Sequence, residues 1–68
     1  MALERMGPML KAWREKRRMT QEELAKFAGI STIYVAKIEA GAKVPSIQVL
    51  MKLAKALRVK AATLLPED

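Results

Sequence analysis

Apolar residues recur along this chain at helical spacing and are interrupted at regular intervals by residues that start or stop helices. Gly7-Pro8 suits a helix entrance with Pro8 at the first position. The helix then runs to about Arg17, with Trp13 as its anchor in the core beside Leu10 and Met9 or Met6. Thr20 and Glu23 form a capping box, so a second helix starts at Gln21, carries Leu24 and Ala28 on one face, and stops at Gly29. Ser31 caps a third helix with Val35 and Ile38 as its apolar pair, and Gly41 ends it. Ala25 is small where two helices meeting steeply need close backbone approach. The unit over 21–39 is therefore helix, tight turn, helix.

After a loop at 42–45, Ser46 caps a fourth helix whose inward stripe is Ile47, Leu50, Leu53, Ala54 and Leu57. Lys52, Lys55 and Arg58 read as a solvated face, with nucleic-acid contact as the alternative. Lys60 to Leu65 predicts a short fifth helix that closes the core with Val59 and Leu64, before Pro66-Glu67-Asp68. Residues 1–6 are expected to fray. The fold class is all-α, a compact single domain over 1–68, near the lower size at which a core stands alone.

Composition narrows the chemistry. The chain has no cysteine and no histidine, which removes disulfide and thiolate frameworks and argues against a zinc site. No cofactor, metal or catalytic group is expected, since a general acid or base needs a group near neutral pKa in a cleft. No apolar run approaches the roughly 20 residues that span a bilayer, and the opening MALERMGPM is too short and interrupted for a signal peptide. A soluble cytoplasmic protein with no membrane partner is the expectation. The net charge of +6 favours an anionic partner. Lys11, Arg14, Lys16, Arg17 and Arg18 crowd the first helix and its end, where the last three either complement the helix dipole or contact phosphate.

Thr20 to Gly41, with Leu10–Met19 before it and Lys43–Leu65 after it, resembles the Cro/repressor-type helix-turn-helix family, also called the Xre family. The matching residues are Gln21, Leu24, Ala25, Gly29, Ser31, Val35, Ile38, Glu39 and Gly41, followed by Pro45-Ser46 and the helix IQVLMKLAKAL. The resemblance implies a five-helix, lambda-repressor-like DNA-binding domain whose helix-turn-helix is formed by helices two and three. It also implies a sequence-specific regulator of transcription that binds double-stranded DNA, places helix three in the major groove and acts as a homodimer on an inverted repeat. The alternative is an antitoxin or transcription adaptor whose helical domain chiefly binds a protein partner.

In that arrangement the N-terminal part of the third helix faces base edges, which here means Thr32, Ile33, Ala36 and Lys37. Lys37 either reads a base or holds a phosphate. Gln21, at a helix N-terminus, is the leading phosphate contact, as in the family. Tyr34, in an S-x-x-Y arrangement, bonds a phosphate or packs over its helix, and Lys43 with the backbone around Gly41 clamps further phosphates. Glu39, at a helix C-terminus where the dipole disfavours an anion, needs a cation, and the family's pattern makes Arg14 its ion-pair partner. Relatives use glycine at the ends of helices one and four; Arg18 and Arg58 stand there and are expected at positive φ. Ala36 stands where serine is common. Phe27 points away from its helix's apolar face, either beside helix one or toward a protein partner. The dimer interface is expected at Ala61, Ala62, Leu65 and Pro66, unless Leu65 joins Leu64 inside the monomer.

Overall fold

The structure is a computed structural model, and it describes residues 2–66. Its elements are a 3₁₀ turn at Leu3–Arg5, α1 (Gly7–Lys16), α2 (Gln21–Ala28), α3 (Thr32–Glu39), α4 (Ile47–Leu57) and a second 3₁₀ turn at Ala61–Leu64. Each of the central helices begins where a side chain caps it. Thr20 accepts from the Glu23 amide while the Glu23 carboxylate accepts from the Thr20 amide, at 3.0 and 2.9 Å. Ser31 and Ser46 accept from the amides of Tyr34 and Val49. These bonds satisfy donors that a helix start leaves free, and each cap contributes about 1 kcal/mol.

All of α1 to α4 end in the same way. The residue after the last turn is left-handed (Arg18, Gly29, Gly41 and Arg58, φ +57°, +71°, +79° and +59°), and the amide of the following residue reaches back to a carbonyl one turn earlier. The bonds are Met19 to Arg14, Ile30 to Ala25, Ala42 to Lys37 and Val59 to Ala54, at 2.8–3.0 Å. This is the Schellman closure, which brings an apolar side chain back onto the helix it ends. Met19, Ile30 and Val59 are packed against the core in this manner.

The core is made by Leu10 of α1, Leu24, Ala25 and Ala28 of α2, Val35 and Ile38 of α3, Leu50, Leu53, Ala54 and Leu57 of α4, and Leu64. Met6 joins it at 0 % exposure. Each large aliphatic side chain buried in this way contributes roughly 2 kcal/mol. Because α2 packs on both α3 and α4, the turn between α2 and α3 is held from behind.

Several sequence expectations are corrected here. Residues 2–6 do not fray: Ala2 and Met6 are buried, and the 3₁₀ turn carries the chain to α1. Met1, Glu67 and Asp68 lie outside the described residues. There are four α-helices rather than five among the described residues, since 61–64 is a single 3₁₀ turn. Lys60 offers no side-chain acceptor there, and a four-residue segment closes too few bonds to propagate as α-helix. Trp13 is half-buried and only packs against the core; Lys16 Nζ and the Arg17 guanidinium lie 4.7 and 5.3 Å from its ring centroid. Ile47 is 45 % exposed, because it occupies the first turn of α4 before the buried row begins. No helix among the described residues is long and apolar enough to cross a membrane.

One contact could not be read from periodicity. A Cβ on Gly7 would lie 2.6 and 2.7 Å from the carbonyl oxygens of Ile38 and Glu39, so α1 begins directly against the end of α3. Gly7→Ala should therefore force the two helices apart and destabilise the fold by about 1–3 kcal/mol in urea denaturation. Arg18→Gly and Arg58→Gly should each stabilise it by up to about 1 kcal/mol, because glycine relieves the cost of a left-handed backbone. The gain should be seen as a higher denaturation midpoint.

Candidate nucleic-acid interface

The turn from α2 to α3 is built by Gly29, whose left-handed backbone reverses the chain, and by Ser31, which restarts a helix. Val35 and Ile38 then turn into the core at 0 and 1 % exposure. Helical periodicity leaves Thr32, Ile33 and Lys37 on the outer surface of α3, with Ala36 half-buried beside them. Ile33 is 68 % exposed, although it is β-branched and apolar. An exposed aliphatic side chain in the first turn of a helix is suited to apolar contact with a partner.

Ser31, Ile33, Tyr34, Lys37 and Lys43 line a shallow cleft of ≈ 320 Å³. Lys37 and Lys43 are tied together by backbone, since the amides of Ala42 and Lys43 both donate to the Lys37 carbonyl, at 2.8 and 3.2 Å. The Gly41 amide donates to Ile38. The amides of residues 41–43 thus donate within the protein, and the cation this loop offers is the Lys43 side chain. Tyr34 packs against the core edge while also lining the cleft.

Beneath this surface lies a polar network with one carboxylate at its centre. Arg14 donates from Nε to Glu39 Oε2 at 2.7 Å and from Nη2 to Oε1 at 3.2 Å. Its Nη1 donates to the Met19 carbonyl at 2.7 Å. Gln21 Nε2 donates to Glu39 Oε1 at 3.0 Å. The two charged side chains are only 12 and 5 % exposed. The hydrogen bond to Glu39 is the largest influence on Arg14 and raises its pKa above the ordinary arginine value; burial opposes this and the carboxylate charge adds to it. Arg14 is thus a permanent cation.

The structure brings Gln21, Arg14 and Glu39 into one cluster, and Thr32, Ile33, Lys37 and Lys43 onto one surface. Gln21 is half-buried at the start of α2, and its second amide hydrogen is the group left to meet a ligand. Nothing in its spacing to Glu39 signals their bond, which depends on how α3 crosses α2. Ala61 and Leu65 are half-buried against the core, Pro66 is half-buried and Ala62 is exposed.

A family model described as Helix-turn-helix matches residues 10–64. An uncharacterized HTH-type transcriptional regulator of Mycobacterium tuberculosis is 38 % identical over 58 residues, covering 85 % of this chain and 41 % of the relative. The chain thus spans less than half the length of that relative. YazB of Bacillus subtilis, an uncharacterized HTH-type transcriptional regulator, is 34 % identical over 68 residues and 99 % of its own length. Among solved structures, SinR, the master regulator for biofilm formation, in complex with DNA superposes with a TM-score of 0.85 at 35 % identity, covering 90 % of this chain and 98 % of that one.

Truncating one partner of the central pair should be costly, because the other charge remains buried. Glu39→Ala and Arg14→Ala should each lower stability by about 3 kcal/mol, and the double variant should lose much less than the sum of the two. Equilibrium denaturation of the four proteins in the cycle measures this directly.

Proposed function

The chain belongs to the Helix-turn-helix family, and from that premise we propose that it is a sequence-specific double-stranded DNA-binding regulator of transcription that inserts α3 into the major groove. The observation that carries this reading is the outward set on α3: Thr32, Ile33 and Lys37, with Ile33 68 % exposed and no core role for any of them. A major groove supplies what these groups lack. Thr32 hydrogen-bonds base edges, Lys37 reaches guanine acceptors, Ile33 meets a thymine methyl, and Ala36 permits close approach. Gln21, Lys43 and Tyr34 hold the flanking phosphates and set the register. The likeness to SinR, which has been solved with DNA, supports this docking.

One α3 reads only a few base pairs, so the reading includes a homodimer on an inverted repeat, with half-sites about one turn, roughly 34 Å, apart. The self-complementary patch is assigned to Ala61, Ala62, Leu65 and Pro66. Soluble, non-catalytic action in the compartment that holds the DNA follows from the same reading.

Selection from a random duplex library tests it. A two-fold symmetric sequence should emerge, bound roughly a thousandfold or more above random duplex, with log affinity falling linearly against log salt. Lys37→Ala or Thr32→Ala should relax preference at particular base pairs at a cost of about 1–3 kcal/mol, whereas Lys43→Ala should weaken all duplexes alike. Leu65→Glu should shift sedimentation equilibrium to monomer at concentrations near those of a micromolar dimer. An unchanged sequence preference in Lys37→Ala would remove α3 as the reading element.

A further inference from the structure

The ends of α1, α2 and α4 meet around a second cleft, of ≈ 500 Å³, which shares no lining residue with the α3 surface. Its apolar lining is Met19, Phe27, Ala28, Ala56 and Leu57. The remaining lining residues, Arg17, Lys52, Lys55 and Arg58, are all cations, and none of the lining residues is acidic. Arg17 is fixed in place by its Nε, which donates to the Leu57 carbonyl at 2.9 Å. No acid pairs with Lys52, Lys55 or Arg58 among the described residues. Lys52 and Lys55 stand three apart on α4, a like-charge spacing that weakens a helix.

Cations at helix C-termini are in part explained by the helix dipoles they offset. Three helix ends supply roughly −1.5 charges here, which leaves the four cations with an excess of about +2.5. Phe27 adds a second unsatisfied feature. It is 68 % exposed on the rim of the cleft and contributes nothing to the core.

We infer that this cleft is a docking site for an acidic amphipathic peptide segment of a protein partner. Its carboxylates meet Lys52, Lys55, Arg58 and the free edge of Arg17, and its leucine or phenylalanine side chains cover Phe27 and Met19. A phosphate backbone would meet the same cations but leave the apolar lining wet, so a peptide with both features is the better complement. Because the cleft is separate from the α3 surface, partner and DNA can be bound together. This inference does not depend on the DNA reading.

The test uses the full chain and a fluorescein-labelled helical peptide with glutamates along one edge and leucine and phenylalanine along the other. Fluorescence anisotropy should show saturable binding that weakens at least about tenfold in Lys52→Glu/Lys55→Glu and several-fold in Phe27→Ser. Thr32→Ala/Lys37→Ala should bind the peptide unchanged. Thermal melts of these surface variants establish that they remain folded. Equal binding by the charge-reversed variant overturns the proposal. So does equal binding of a peptide whose apolar residues are replaced by glycine, displacement of the peptide by duplex, or a change of oligomeric state in Phe27→Ser.

Discussion

The position of α3 depends on a single carboxylate. Glu39 sits in the last turn of that helix, where the dipole disfavours an anion, and it is almost wholly withdrawn from water. Only a dense set of donors can keep it there. Arg14 supplies two of them from α1 and Gln21 supplies a third from the first residue of α2, while the remaining Arg14 nitrogen binds the Met19 carbonyl in the link between those helices. Three helices and a linker are thereby referenced to the same few atoms. Apolar packing alone would allow α3 to rotate or slide by a fraction of a turn, whereas bidentate hydrogen bonding has one good geometry. What the network specifies is the direction in which Thr32, Ile33 and Lys37 point.

Gly7 reinforces this from the other side. By lacking a side chain it lets the first turn of α1 rest on the last carbonyls of α3, bringing the positive end of one helix dipole to the negative end of another. The same approach explains why residues 2–6 are ordered. Once Gly7 is pinned, Met6 is directed into the core and the 3₁₀ turn before it buries Ala2. Order at the chain's start thus comes from a backbone contact made across the fold.

What was legible in the sequence was mostly local. Thr20 with Glu23, Ser31 and Ser46 are caps whose partners lie three residues away, and the helices begin where these residues stand. Gly29 and Gly41 mark stops by their own conformational freedom. The arginines at 18 and 58 do not, and their left-handed backbone was inferred only by likeness to a family that uses glycine there. Arg14 with Glu39 came from the dipole argument joined to the same likeness. Features that depend on how helices cross were not legible: the Gln21 bond to Glu39, the Gly7 contact and the bond from Arg17 to Leu57. The large apolar area of Trp13 points to core packing, and its ring does pack against the core, but it is only half-buried because its face also takes the cations of Lys16 and Arg17. For 60–65 the apolar pattern was right about Leu64 and wrong about helix length, since periodicity says nothing about whether a segment has enough turns to sustain itself.

The distribution of charge separates two roles that the total of +6 conceals. On the α3 surface the cations are few, Lys37 and Lys43, and each stands beside groups able to read or position a ligand. On the surface made by the helix ends the cations are more numerous and surround apolar groups instead. Between them Arg14 is spent entirely within the protein, and Lys16 lies over the Trp13 ring. Net charge is therefore a poor measure of how many phosphates this domain can neutralise. The useful quantity is the subset of cations on the outward side of α3 and in the loop after it, and the buried Glu39 network bears on that subset, because it fixes which way α3 faces.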